Sequence, residues 1–164
     1  MKKKHSLLLL AFAFCISSGN AQLKTSTECP PIFIDLLDGT VNKLHPESPW
    51  GEIYTKFPCF SEAIEEPAAT GCAGVFLKDK GLNFYTYRDY IEITDKYSGT
   101  MNPPIMGTDH NNLLRLFGLP QIKDLAWDAF QTRYGVMVAF FGKDGKVNRI
   151  IISNKNVQTL RPCD

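Results

Sequence analysis

The chain has little of what marks the commoner catalytic and binding classes. Only three of its 164 residues are histidine. No Cys-x-x-Cys or tight cysteine–histidine pair supplies zinc-site spacing. There is no Gly-x-Ser-x-Gly elbow to present a serine nucleophile. A glycine-rich phosphate loop is missing, and so is a loop with the spaced oxygen ligands that calcium needs. Beyond residue 16 no apolar run approaches the roughly 20 residues that span a bilayer. Charge of one sign is not in excess, with 18 Lys and Arg against 17 Asp and Glu. That balance leaves no electrostatic footprint for nucleic acid or anionic lipid. The expectation is a chain with no catalytic set, no metal, no cofactor, no nucleic-acid partner and no stable membrane insertion.

What is present begins with a leader. Lys2, Lys3 and Lys4 precede an uncharged, mostly apolar run from Leu7 to Ile16, and Gly19 and Ala21 then occupy the positions read before a cleavage. This order predicts a secretory signal peptide over residues 1–21 and an exported protein, periplasmic or secreted. The apolar run is too short for an anchor. Cys15 follows the bulky Phe14, which disfavours lipid attachment. Without the leader the remaining 143 residues carry 15 basic and 17 acidic groups, a formal charge of −2. That length suits one globular domain, residues 22–164.

Four cysteines follow the leader: Cys29, Cys59, Cys72 and Cys163. An even number in an exported chain predicts two disulfides. Three pairings are open. Cys59 and Cys72 bracket a short segment, and Cys29 and Cys163 lie near the two ends, which are often close in space. The expected pairing is therefore Cys59–Cys72 with Cys29–Cys163.

Residues 22–31 read as a loose arm held by Cys29. Ile32 to Leu44 has near-helical apolar spacing interrupted by Asp38-Gly39, so a short helix and a strand–turn are both open. His45 to Gly51, with Pro46 and Pro49, reads as a loop, and Ser61 to Glu66 as a helical turn or two. From Gly74 the pattern becomes β. Val75 to Leu77 leads through Lys78–Gly81 into Leu82–Ile93, whose aromatic and β-branched residues favour strands with a bend at Arg88-Asp89. Thr94 to Thr108 is expected to be a crossing loop. A helix follows, capped by Thr108 or Asp109, with Leu113, Leu114, Leu116 and Phe117 as its apolar face and Gly118 in left-handed conformation as its end. Trp127–Tyr134 is a strand, and Val136–Phe141 and Val147–Ser153 form a hairpin across Lys143-Asp144-Gly145. The fold class expected is α+β, an antiparallel sheet with one or more short helices on one face. Phe76-Leu77-Lys78-Asp79 before Leu82-Asn83 echoes Phe140-Phe141-Gly142-Lys143-Asp144 before Val147-Asn148. Charged turns between apolar strands are common enough to explain the echo without a duplication.

The run from 109 to 153, a short helix ending Leu116-Phe117-Gly118-Leu119-Pro120, a Trp-containing strand and an Asp-Gly hairpin, resembles small exported domains related to the β-lactamase inhibitor protein and to outer-membrane-assembly lipoproteins of the SmpA type. The resemblance covers under a third of the chain. It implies a helix pair against an antiparallel sheet and a role in binding or scaffolding rather than catalysis. The lipid-anchor cysteine of the assembly lipoproteins is not matched.

Candidate functional residues are few. His45 lies in a proline-rich loop. His110 opens a helix beside Asp109, and an exposed cap histidine is its expected state, since a proton shuttle needs a partner in hydrogen-bond reach. Glu62, Glu65 and Glu66 read as a solvated face. The aromatics rise above this background. Tyr85, Tyr87 and Tyr90 are close in sequence and Trp127 opens a strand, and such residues anchor interfaces. Tyr85 and Tyr87 would share a face if 82–87 is extended. The reading that follows is an exported, non-catalytic binding module for another envelope or extracellular protein, in an inhibitor, immunity or assembly role. The alternatives are a small envelope hydrolase with a dispersed site, marked by a deep pocket presenting His110 with an acid, and a carrier of a small apolar ligand, marked by a closed apolar cavity.

Overall fold

Short apolar and β-branched segments recur from residue 62 to residue 153, and most of them join one large sheet. A computed structural model describes residues 28–65 and 71–163. The predicted leader, residues 22–27 of the arm, and Glu66 lie outside the described residues. In chain order the elements are β1 (Phe33–Asp35), β2 (Thr40–Val41), α1 (Trp50–Lys56), β3 (Glu62–Ile64), β4 (Gly74–Leu77), β5 (Leu82–Tyr85), β6 (Tyr90–Thr94), β7 (Thr100–Asn102), α2 (His110–Phe117), β8 (Ile122–Lys123), β9 (Trp127–Thr132), β10 (Gly135–Phe141) and β11 (Val147–Ser153). The fold is α+β, with two short helices against a mostly antiparallel sheet.

Eight strands run in the order β3-β4-β5-β6-β11-β10-β9-β8, every neighbouring pair antiparallel. The topology repeats: α1 precedes the meander β3–β6, α2 precedes the meander β8–β11, and the last strand of each pairs with the other at the centre. The sequence echo does not mark this repeat. It places β4–β5, the second and third strands of one meander, against β10–β11, the third and fourth of the other. A smaller sheet, β2-β1-β7, includes a parallel pair, β1 with β7.

The large sheet buries its inner face. Val75, Leu82, Phe84, Ile91, Ile93, Ile150, Ile152, Met137 and Phe130 lie there, beneath Ile34, Val41, Ile53 and Leu113 from the small sheet and both helices. Nearly every one of these side chains is removed from water. At roughly 1.5–3 kcal/mol for each large apolar side chain, this layer is the main favourable term for folding.

Some local alternatives are decided and other expectations are corrected. Ile32–Leu44 is the strand–turn form, because Asp35 Oδ1 accepts the N–H groups of Leu37 and Asp38 and turns the chain back at 3.0 and 3.1 Å. Gly39, at φ 66°, lies against the ring of Tyr134, and a β-carbon there would come within 2.5 Å of it. Trp50–Lys56 is a helix with a single buried position, Ile53, too short for periodicity to reveal. Ser61–Glu66 contributes strand β3, not helix: pairing with β4 supplies its backbone partners and overrides local propensity. The crossing loop contains β7. Asp109 is the cap of α2, its Oδ1 accepting from Asn112 N–H at 2.9 Å. Gly118 has positive φ, 77°, but ψ −157°, outside the left-handed helical region.

The disulfides are Cys29–Cys59 and Cys72–Cys163, not the expected pairing. The reason lies in β3 and β4. Their antiparallel pairing sets Glu62 opposite Phe76 and Ile64 opposite Gly74. Cys59, before β3, therefore lies at one end of the hairpin and Cys72, before β4, at the other. The shortest loop in sequence is the one the strands hold open. No helix among the described residues is long and apolar enough to cross a membrane.

Candidate functional site

Strand alternation gives the large sheet a second, outer face. Trp127 and Ala129 of β9, Val136, Val138 and Phe140 of β10, Arg149 and Ile151 of β11, Tyr90 and Glu92 of β6, and Asn83 and Tyr85 of β5 share it by register. Residues 154–163 form a strap over one end of this face. Val157 and Leu160 pack on Tyr90, Ala129, Val136, Val138 and Ile151. Cys72–Cys163 fastens the strap covalently, and Cys163 N–H donates to Tyr90 Oη at 2.8 Å.

Where the strap ends, an apolar cleft of about 170 Å³ opens among Trp127, Val138, Phe140, Val157, Leu160 and Pro162. Phe140 forms its wall and also borders a wider, shallower depression with Asn148 and Arg149. The Arg149 guanidinium lies 3.9 Å from the Phe140 ring centre, a cation–π contact. Its carboxylate partner, Glu92 Oε1, is at 3.4 Å, and the other oxygen of Glu92 accepts from Asn83 at 3.0 Å. A cation with one long ionic contact thus stacks on the ring that walls the apolar cleft. Two residues before Trp127, Leu125 is almost wholly exposed and extends the apolar surface at this corner.

The four aromatics singled out in the sequence do not form one site. Tyr85 and Tyr90 stack with ring centres 4.4 Å apart, and Tyr85 meets Phe76 edge-on at 5.1 Å. Tyr90 is 1 % exposed beneath the strap, so it cannot touch a partner. Burial, and after it the Glu92 carboxylate, raises the Tyr85 phenol above its usual value. Burial also pushes the Tyr90 phenol well above its usual value, and so both are neutral packing groups. Tyr87 does not share a strand face with Tyr85, because β5 ends at Tyr85 and Tyr87 sits in the following turn, 52 % exposed. Trp127 is four strands away from Tyr85 in the sheet order, roughly 19 Å at the usual spacing. The corner that combines access with apolar surface is built on Trp127 and Phe140. Phe140 was missed because Val136–Phe141 reads as a wholly apolar run, which hides which face each residue takes.

His110 is not an exposed cap. Its Nδ1 lies 2.8 Å from Asp128 Oδ2, and its ring stacks on Phe141 with centres 3.7 Å apart. Asp128 is fully buried, and its Oδ1 has no partner among the described residues. The sequence signal was available: in Trp127-Asp128-Ala129-Phe130, alternation puts Asp128 on the face of Phe130. A histidine–carboxylate pair can orient an imidazole for proton transfer. Here Nε2 has no hydrogen-bonded hydroxyl or thiol among the described residues, and none of the clefts described is lined by His110. His45 is far exposed and borders a cleft with Lys43 and Arg133. Glu62 of β3 pairs with Lys78, just past the end of β4. Among the described residues no three side chains of His, Cys, Asp or Glu converge as metal ligands do.

Comparison of the chain with family models, with curated proteins and with solved structures found no match.

Proposed function

We propose that this protein is an exported, non-catalytic binding module that engages another envelope or extracellular protein through the Trp127–Phe140 corner. The observation that carries the reading is the apolar cleft between the strands and a covalently fastened strap, with Arg149 stacked on the Phe140 ring that walls it. Such a recess fits an apolar side chain, and the cation beside it fits a neighbouring carboxylate on the same partner. Aromatic and arginine side chains of this kind are the usual anchors of protein interfaces. Two disulfides accord with an oxidising, exported environment, periplasmic or secreted. The helix, Trp-strand and hairpin order behind the resemblance to inhibitor and assembly domains is present over 110–153, and it favours the same role.

The hydrolase reading draws support from one observation, the His110–Asp128 pair. It asks for a pocket at Nε2 and a nucleophile or water held there. The carrier reading asks for an enclosed cavity of about 300–1,000 Å³, and the apolar cleft is smaller and open. The test uses a partner captured from the envelope and then measured quantitatively. Phe140→Ser and Arg149→Ala proteins should lose at least tenfold in affinity, while Tyr87→Ala retains it. Equal affinity for all three, at unchanged fold, would refute the corner as the interface.

A further inference from the structure

On the other side of the large sheet, the turn that follows the β1–β2 hairpin holds a strained residue. This turn, Val41 to Leu44, is closed by reciprocal N–H to carbonyl bonds of 2.9 and 2.8 Å. Both central residues have positive φ, Asn42 at 48° and Lys43 at 69°. A two-residue turn of this kind favours asparagine followed by glycine. Asn42 is compensated: its Oδ1 accepts from Phe33 N–H at 2.7 Å and its Nδ2 donates to the Pro31 carbonyl at 2.9 Å. Lys43 is not. Its side chain is exposed and forms no hydrogen bond or ion pair among the described residues. A β-carbon held in the left-handed region without a local bond points to a use for what the side chain carries.

Lys43 stands where two broad, shallow clefts of about 510 Å³ each meet. Arg133 borders one and Lys56 the other. The floor between them is mixed. Phe33 offers a ring that is 43 % exposed. Thr40 offers a hydroxyl. Asp35 uses only Oδ1 for its own loop, which leaves Oδ2 to accept. Asp38 pairs with Arg133, but both are largely exposed, so the pair is weak and yields to an incoming anion. Cations and acceptors therefore line both clefts, which share Asp38, Thr40 and Lys43, and one of the two adds the Phe33 ring. A simple polyanion would meet Asp35 and Asp38 without any donor to offer them. An acidic sugar has what each group needs: carboxylates for Lys43 and Arg133, hydroxyl donors for Asp35 and Thr40, and a C–H face for the electron-rich face of Phe33.

We propose that the β1–β2 hairpin groove binds a carboxylate-bearing oligosaccharide, with Lys43 at its centre. This inference is independent of the Trp127–Phe140 corner. The test is calorimetric titration of the disulfide-bonded protein with trigalacturonate, with maltotriose as the neutral sugar and triglutamate as the anionic peptide. Trigalacturonate should bind at least tenfold more tightly than either control. Lys43→Gly should weaken it about tenfold, while leaving the protein equally stable or more so, since glycine is unstrained at this φ. Absence of trigalacturonate binding at millimolar concentration, or binding unchanged by Lys43→Gly, would overturn the proposal. Triglutamate binding as tightly would overturn the sugar assignment, and a less stable Lys43→Gly protein would overturn the strain argument.

Discussion

Replacing His110 with alanine tests the buried pair directly. Asp128 is fully buried, and one of its oxygens already has no partner among the described residues. Removing the imidazole strips the other. Breaking a buried pair from one side costs about 3–5 kcal/mol, because the remaining charge is left without compensation. The loss of ring stacking on Phe141 adds about 0.5–1.5 kcal/mol. Water relieves part of this, since the histidine side chain is 29 % exposed and its removal opens a path to Asp128. A net loss of about 3 kcal/mol follows, a large share of the roughly 5–15 kcal/mol typical of a domain. In urea at neutral pH, with disulfides intact, the unfolding midpoint should fall with an unchanged slope. His110→Phe keeps the stack and loses the bond, so it should recover only the smaller part. A His110→Ala/Asp128→Leu protein should be more stable than His110→Ala alone, because the unpaired charge is gone. A His110→Ala loss under about 0.5 kcal/mol, or a double variant less stable than the single, would refute the reasoning.

Other consequences are open to measurement. Gly39→Ala places a β-carbon on the Tyr134 ring at positive φ, so it should cost at least about 1–2 kcal/mol, read by thermal melting. Peptide mapping without reduction should find Cys29 joined to Cys59 and Cys72 to Cys163. Cys72→Ala/Cys163→Ala should cost about 4–5 kcal/mol in the loop-entropy model and raise hydrogen exchange over 154–163. Burial pushes the Tyr97 phenol up to about 12 and raises Tyr90 and Tyr134 as well. A phenol whose folded value is raised supports the fold fully below its unfolded value near 10 and loses that support as pH climbs through the folded value. Stability should therefore decline from about pH 10 to 12 for this reason, with phenolate absorbance at 295 nm rising alongside unfolding. Phenolate formation well below pH 10 at constant stability would contradict the burial of these rings.

The later strands were legible because the aromatic-bearing Trp127–Thr132, an apolar run over Val136–Phe141 and an Asp-Gly turn all agree. Asp109 and Gly118 likewise bounded α2 by local chemistry. What stayed hidden depended on distant partners. β3 is a strand because β4 pairs with it, not because Glu62-Ala63-Ile64 prefers extension. The disulfide pairing follows from which hairpin end each cysteine occupies, a fact of register rather than of spacing. The candidate site split for the same reason. Tyr85 and Tyr90 are neighbours in sequence and stack beneath or beside the strap, whereas Trp127 meets Phe140 through a cross-strand pairing. His110 and Asp128 are 18 residues apart and come together only when α2 packs on β9.

The central claim is that a partner docks at the Trp127–Phe140 corner. Site-specific photo-crosslinking in cells tests it most directly, with the photoreactive residue at Asn148, exposed beside Phe140 and Arg149, or at Leu37, exposed on the β1–β2 loop. The account predicts a discrete crosslinked protein from Asn148, abolished by Phe140→Ser, and none from Leu37. The same product from Leu37, or an Asn148 crosslink indifferent to Phe140→Ser, would contradict it.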